Sequence, residues 1–291
     1  MVTATYAGTA TRKPRRTRRS RRASRRGAVI IALRLGVLAL IVVLWQVLSG
    51  RLLPEYAVSK PTDVVRVLGD TLSSQQGWLD IKTTAVEILA GFALGTAVGS
   101  FMGLVLGSFP LLGQVLEPLI AALNGIPKIA LAPLFLLFFG IGEWSKITIA
   151  ATGVAFVVFY NLYMGLRLRE RELVESVQLM GGRTHHVLGY VTLPTLVSPF
   201  FTALKTAGPL AIIGVIGGEF VASSEGVGHQ LFTAATNLDA AAEFSGLIIL
   251  VVMTLVLNGI LNQLDAFVIR RLGLADGRTK GRSSARGNVS T

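Results

Sequence analysis

The segment ESVQLMGGRTHHVLGYVTLP, residues 175–194, is a polar and mildly basic stretch between two long apolar spans. Its first residues predict a short amphipathic helix, and the pair Gly181–Gly182 predicts a turn. A second helical stretch should follow, before Val-Thr-Leu-Pro begins the next apolar span. An ordered polar loop in this position indicates a surface that holds a partner.

The composition on both sides of this segment is that of a membrane protein. The chain has 291 residues, of which 52% are hydrophobic and only 15% are charged, whereas a soluble domain has about 25% charged residues. Several segments are apolar for long enough to cross about 30 Å of hydrocarbon as a helix. We therefore predict an all-α, polytopic membrane protein. Cysteine is absent, which excludes a disulfide framework, a thiolate metal site and a thiol nucleophile.

Hydropathy predicts six spans, which together form one transmembrane domain over residues 29–272. We expect basic, disordered cytoplasmic tails on both sides of this domain, at residues 1–28 and 273–291. The predicted spans are residues 29–49, 84–107, 112–139, 147–166, 195–217 and 244–267.

The formal net charge of +12 is concentrated in the two tails. Ten of the 28 Lys and Arg residues lie between Arg12 and Arg26, and six more follow Val268. A run of this kind can bind nucleic acid, but it contains no aromatic residues and an apolar span follows at once. It is therefore interpreted as a tail that fixes topology and contacts anionic lipid headgroups, with no nucleic-acid partner. A secretory signal is a poorer explanation, because the apolar stretch to Leu48 is too long.

Loop charges predict which side of the membrane each loop faces. If the Arg-rich tail is cytoplasmic, six spans place both termini and the loop 167–194 in the cytoplasm. That loop carries Arg167, Arg169, Arg171 and Arg183, as the positive-inside rule requires. The loop 218–243 should face outward, and it contains acidic residues but no Lys or Arg. The outer segment 50–83 is a mild exception, with an amphipathic stretch that should lie on the membrane or cap the bundle.

The second span carries a glycine at every fourth position. Four residues turn a helix by about 400°, so these glycines form one slowly drifting stripe. Small residues let helix backbones approach closely in a membrane, which predicts a packing seam. A phosphate-binding role is disfavoured, because no strand precedes the stripe and no Lys-Ser/Thr pair ends it. The stripe consists of Gly91, Gly95, Gly99, Gly103 and Gly107.

The third span contains Pro118, Pro127 and Pro133. Proline removes a backbone donor and kinks a helix, and the freed carbonyl groups in a membrane must face protein or water. Asn124 and Lys128 lie beside the expected break. A lysine at membrane depth is costly and is a candidate for the transport pathway.

Two further charges belong to this group of pathway candidates. Lys205 lies in the fifth span, and Glu87 in the second span could neutralise Lys205 or Lys128. An alternative interpretation stays open, in which these charges lie near an interface and snorkel or pair for structural reasons.

The spacing within residues 175–194 resembles the signature loop of the permease subunits of binding-protein-dependent ATP-binding-cassette importers. That signature is Glu-Ala-Ala, three residues, Gly, nine residues and Ile-x-Leu-Pro. The spacing matches fully, and the departures are Ser176 and Val177 for the two alanines and Val191 for isoleucine. The loop residues concerned are Glu175, Ser176, Val177, Gly181, Gly182, Val191, Leu193 and Pro194.

Other stretches resemble the branch of this family that serves nitrate, sulfonates, taurine and related small solutes. They are PKIALAPLF at 127–135, FFGIGE at 138–143, GGE at 217–219 and SEGVG at 224–228. The similarity covers roughly residues 35–272, which excludes only the tails.

The resemblance implies a permease of a bacterial plasma membrane, with a cytoplasmic coupling helix that docks in a groove of a separate ATPase. The chain has no G-x-x-x-x-G-K-[ST] sequence, so ATP and Mg²⁺ are expected on that partner, and the chain is not itself expected to be an enzyme. Two copies should line one pathway. A substrate-binding protein would deliver the solute at the outer face.

The transported solute stays open between two classes. Lys128 and Lys205 would suit an anion such as nitrate, a sulfonate or taurine, whereas related permeases carry neutral heteroaromatic solutes such as thiamine-precursor pyrimidines. A secondary transporter or channel is a further alternative, but it predicts inverted repeats and several ionisable residues at the midplane. A membrane-embedded enzyme would need a cluster of His, Asp or Glu at one depth, which the sequence lacks.

Overall fold

The computed structural model describes residues 19–52, 54–168 and 171–272, and the chain is helical over most of this length. A 3₁₀ turn at Lys128–Leu131 and a π turn at Leu188–Thr192 interrupt the α-helices. The α-helices are α1 Arg19–Leu48, α2 Pro61–Ser73, α3 Gln75–Ser108, α4 Pro110–Asn124, α5 Ala132–Phe139, α6 Glu143–Arg167, α7 Arg171–Leu179, α8 Thr184–Val187, α9 Leu193–Ala222, α10 Val227–Thr236 and α11 Ala240–Arg271.

Five helical segments of the described chain are long and apolar enough to cross a membrane. They lie in α1, α3, α6, the run from Thr184 to Val221, and α11. The pair Leu111–Asn124 and Lys128–Phe139 is bent by 85°, and it becomes a sixth span if the two pieces are counted together. The predicted all-α, polytopic membrane fold is therefore confirmed.

The third predicted span is two helices joined by a sharp bend. α4 ends at Asn124, and Pro127 precedes the 3₁₀ turn in an extended conformation. Pro133 lies in the first turn of α5, where its missing N–H costs no helical hydrogen bond. The prolines thus divide the apolar stretch at Gly125–Pro127 more completely than a simple kink would.

The first helix begins at Arg19, inside the segment that was predicted to be a disordered tail up to residue 28. The remainder of that segment and the C-terminal tail at 273–291 lie outside the described residues. α1 meets the other helices near its C-terminal end, where the Trp45 ring lies 5.3 Å from the Phe244 ring of α11. The Gln46 side chain also donates to the Thr62 hydroxyl at 3.3 Å.

The centre of the bundle is formed by α3, α6 and α9. The most extensive contact joins α3 to α6, and the next joins α6 to α9. Buried Val154 and Val158 of α6 pack with buried Leu204 and Ala207 of α9 in the largest apolar cluster. This three-helix core positions the features described below.

The amphipathic stretch that was predicted outside the second span is α2, which packs on the bundle. Val64 is 1% exposed, and Leu68 packs against the apolar cluster around Val227 and Ile249. Val65, the next residue after Val64, is 66% exposed. α2 therefore caps the bundle with one face only.

Candidate functional site

Residues 171–192 form a helix, a turn and a second helical stretch, as predicted from the sequence. The turn closes α7 with two backbone hydrogen bonds, from the Gly181 N–H to the Gln178 carbonyl and from the Gly182 N–H to the Val177 carbonyl, both 2.9 Å. Gly181 has φ +82°, a conformation that other residues rarely adopt. A side chain on Gly182 would lie 2.6 Å from Val177. Gly181 is therefore required for its backbone conformation, and Gly182 is required because a side chain would not fit there.

The surface of this coupling segment, which we define as residues 171–192, is open. Glu175 and Ser176 on α7 are exposed, and Leu179 and Met180 at the turn are 89% and 87% exposed. Two adjacent large apolar side chains are therefore left exposed at the end of a polar helix.

The second half of the coupling segment, α8 and the π turn, continues into a spanning helix. Val191 is buried in the π turn, Leu193 is half exposed at the start of α9, and Pro194 occupies the first turn of that helix. Residues from Thr184 to Val221 therefore form one helical run.

The five glycines of the predicted seam lie along the face of α3 that contacts α6. A Cβ on Gly91 would lie 2.7 Å from the Ala150 side chain, and one on Gly95 would lie 2.5 Å from the Ala151 carbonyl oxygen. Gly99 lies equally close to the α6 backbone, and Gly103 and Gly107 meet the bases of α6 side chains. Here two helix backbones lie in direct contact, as small residues allow.

A cavity of about 430 Å³ lies between the 3₁₀ turn, α6 and α9, and it is open where Ile126, Ile129 and Ile213 are exposed. Lys128 is the one charged residue among the described residues that line it. Its ammonium donates to the Asn124 side-chain oxygen at 3.1 Å and lies 4.6 Å from the centre of the Phe156 ring. The pathway candidates Asn124 and Lys128 are thus brought together at a cavity.

The other two pathway candidates lie elsewhere, and each has a partner that was not expected. Lys205 of α9 pairs with Asp265 of α11 at 2.5 Å, with its side chain 35% exposed. Glu87 is fully buried and pairs with Lys146 of α6, so it neutralises neither Lys128 nor Lys205. These contacts favour the structural interpretation of both charges.

A polar network at the opposite end of the bundle from the coupling segment was not predicted. The first N–H groups of a helix have no acceptor within that helix, and in α10 side chains of α3 and α9 bind them. We call these three contacts the α10 cap. Gly226 N–H donates to Asp80 at 2.7 Å, Val227 N–H to Thr84 at 2.8 Å, and Gly228 N–H to Glu219 at 2.6 Å.

One sequence signal could have identified part of this network. Asp80, Thr84 and Glu87 are spaced at i, i+4 and i+7, so they share one face of α3. Three polar residues on one face at the start of an apolar span indicate a buried polar contact. The residues that they contact are far away in the sequence, and Thr84 and Glu219, for example, are 135 residues apart. No local pattern specifies such a contact.

Metal binding finds no support within the described residues, which contain no group of three His, Asp or Glu side chains able to hold an ion. The neighbouring His185 and His186 lie in α8, and His186 Nδ1 accepts the N–H of Arg183, the N-cap residue of that helix, at 3.0 Å.

Residues 95–274, more than half of the chain, match the family described as binding-protein-dependent transport system inner membrane component. Among curated proteins, the chain is 29% identical to the formylaminopyrimidine transport permease protein of Halalkalibacterium halodurans, over 72% of this chain and 84% of that protein. It is 32% identical to the riboflavin transport system permease protein of Chloroflexus aurantiacus, over 80% and 87%.

A third relative is the putative aliphatic sulfonates transport permease protein of Bacillus subtilis, which is 27% identical over 74% of this chain and 78% of that protein. Among solved structures, the inward-facing MetNI methionine ABC transporter matches with a TM-score of 0.59 and 17% identity. That match covers 67% of this chain and 99% of the matched chain, and at this identity it concerns the fold alone.

Proposed function

The chain belongs to the family of inner-membrane components of binding-protein-dependent transport systems, and from this we propose that it forms the pathway of an ATP-driven importer for a small solute. It is the permease subunit, and the observation that carries the proposal is the coupling segment. An exposed helix ends in a turn with positive φ at Gly181 and runs on into spanning helix α9. ATP and Mg²⁺ would be held by a separate ATPase, and two copies of this chain would line one pathway.

The orientation that fits this role places the coupling segment in the cytoplasm. α7 and its turn lie at the same end of the bundle as Arg167, the last residue of α6. The start of α10 and the acidic loop around Asp239 lie at the other end, and this end would face the solute-loaded binding protein. Closure of two ATPase subunits would then move the two coupling segments and open the pathway outward.

Charge reversal on α7 tests the docking role. Glu175→Lys changes an exposed residue, so the fold should be retained while an ion pair or amide contact with the ATPase is lost. We expect co-purification of the ATPase and ATP-driven uptake to fall together. Glu172→Lys on the same helix is the matched control, since it makes the same charge change one turn earlier. Undiminished association and uptake in the Glu175 variant would contradict the docking role.

Strain at the turn gives a second test of the same role. Gly181→Val places a β-branched residue at φ +82°, where such residues are outliers. The variant should insert in the membrane and yet lose ATP-driven uptake. Gly189→Ala is the control, because its added Cβ has nothing within 4 Å. Equal uptake by the two variants would show that the turn geometry does not matter.

A small anion is the solute class that we favour. Among the described residues that line the 430 Å³ cavity, Lys128 is the charged one, and its ammonium contacts Asn124 and Phe156. In a strain lacking this chain, Lys128→Met should restore anion uptake far less than Lys128→Arg, which keeps the charge. If the strain without the chain takes up nitrate, sulfonate and taurine as before, these anions are not the solutes that the chain transports.

A neutral heteroaromatic solute is the second candidate. Two relatives are named as formylaminopyrimidine and riboflavin permeases. The cavity beside Lys128 is lined mostly by apolar residues, and the Phe156 ring lies against the Lys128 ammonium. Loss of pyrimidine or flavin uptake, with anion uptake unchanged, would select this class. Lys128→Met should then leave transport nearly intact.

A further inference from the structure

The α10 cap leaves no room for a side chain at either of its glycines. A Cβ on Gly226 or Gly228 would overlap the Glu219 carboxyl group, and Gly226 also has φ +108°. Glu219 is 1% exposed and Thr84 is fully buried. The Thr84 hydroxyl accepts from Val227 and donates to Glu219 at 2.7 Å, which joins α3, α9 and α10 through one atom.

A second contact adds α6 to the same group of helices. Lys146 of α6 pairs with Glu87 of α3, and its ammonium donates to the Ser223 hydroxyl at 3.1 Å, in the connection between α9 and α10. Buried polar groups of this kind are costly to separate, because each would be left without a partner. The start of α10 is therefore fixed to α3, α6 and α9 together.

One side of α10 is exposed, at Phe232, Thr233, Ala235 and Thr236. A cavity of about 460 Å³ lies beside the cap itself, because Asp80 and Gln230 line it together with Asp239. The residues that line this cavity come from α2, α3, α10 and α11, so a molecule bound there touches four helices. α10 thus has one side held by the cap and another side available for contact.

Two of the helices held at the cap, α6 and α9, also line the cavity beside Lys128, and α9 leads to the coupling segment. The residues that follow the turn at Gly181 are continuous with α9. A displacement of α10 therefore moves the ends of the helices to which the cap binds it, because the hydrogen bonds of the cap connect them directly.

We propose that the α10 cap binds α10 and the outer ends of α3, α6 and α9 into one unit, through which the docked binding protein stimulates ATP hydrolysis at the far end of the bundle. Thr84 is the positioning residue of this unit, since its hydroxyl links three helices. The inference rests on the proposed function, because it takes the solute-loaded binding protein as the molecule that contacts α10.

The test uses the complete complex of permease, ATPase and binding protein in lipid nanodiscs. Thr84→Val keeps the side-chain shape and removes the hydroxyl, whereas Thr84→Ser keeps the hydroxyl. For Thr84→Val we expect normal basal ATP hydrolysis and a similar half-saturating concentration of binding protein. Maximal stimulation should fall roughly tenfold, the order expected for a buried hydrogen bond left unmade. Thr84→Ser should be stimulated like the unchanged complex.

Hydrogen exchange gives the structural readout for the same variants. The amides of residues 226–236 should exchange faster in Thr84→Val than in Thr84→Ser, while the amides of α6 keep their protection. Full stimulation of Thr84→Val would overturn the proposal. So would a higher half-saturating concentration with unchanged maximal stimulation, because that result describes a damaged docking surface. Loss of stimulation in Thr84→Ser would also overturn it, since the hydroxyl is then present.

A milder variant covers the case in which Thr84→Val fails to assemble. Asp80→Asn keeps one accepting oxygen for the Gly226 N–H and weakens the contact with Gln230. Reduced maximal stimulation with normal basal hydrolysis would support the proposal, and normal stimulation would contradict it. If the binding protein fails to stimulate the unchanged complex, the proposed function itself is wrong, and this result is distinct from any effect of the variants.

Discussion

At the scale of single residues, the seam between α3 and α6 depends on missing side chains. Gly95 lies against the backbone of Ala151, and its neighbours along the stripe lie against Ala150 and Ala155. Because lipid removes the hydrophobic driving force between helices, close backbone approach and van der Waals contact stabilise such a pair. A methyl group added at one of these glycines must therefore move α3 away from α6.

Gly95→Ala should consequently destabilise the permease. The new Cβ would lie 2.5 Å from the Ala151 carbonyl oxygen, and overpacking of this kind costs about 1–3 kcal/mol. Gly259→Ala in α11 is the control, because its Cβ would meet nothing within 4 Å. Thermal unfolding of the two purified variants measures the difference. An equal midpoint for both would mean that α3 and α6 can separate without cost.

Residue spacing predicted some contacts of the candidate site and missed others. The turn at Gly181–Gly182 follows from local backbone chemistry, so the sequence was enough to predict it. The partners of Lys205 and Glu87 were missed, because the contacting residues are about 60 positions apart in each case and no local pattern joins them. The α10 cap was missed for the same reason. Long-range pairing of buried charges follows only from the packed helices.

At the scale of elements, α2 shows how an amphipathic helix is held at the end of the bundle. One face packs on the apolar cluster below it, and the other face is open. Val64→Ala should reduce the free energy of unfolding by about 1.5–2.5 kcal/mol, through lost burial and a residual cavity. Val65→Ala makes the same chemical change at a residue that is 66% exposed, and it should have little effect. Equal losses would contradict the docking of α2 by one face.

At the scale of elements, hydropathy alone was enough to locate most of the membrane spans. The spans in α3, α6, α9 and α11 were located from apolar length, because a membrane requires that length directly. The break in the third span was expected from its prolines, but the 85° bend was not. Proline removes a hydrogen bond and sets φ, whereas the direction of the following helix depends on what α5 packs against. Here α5 packs against α6.

At the scale of the whole molecule, the two ends of the bundle carry different surfaces, and the proposed orientation can be tested directly. The chain contains no cysteine, so single cysteines report position without background. A cysteine replacing exposed Met180 should react with a membrane-impermeant maleimide only after the cells are permeabilised. A cysteine replacing exposed Asn237 should react in intact spheroplasts. The reverse pattern would invert the topology and would place the coupling segment on the wrong side for a cytoplasmic ATPase.

The π turn at Leu188–Thr192 sets the rotational phase between α8 and α9. A π turn holds one residue more than an α-helical turn, and each residue of an α-helix rotates the chain by about 100°. Without that extra residue, everything on the α7 side of the turn would face about 100° away from its present direction relative to α9. Glu175 and the turn at Gly181 would then point toward a different neighbour. Five residues of widened helix thus set the direction of the surface that is proposed to meet the ATPase.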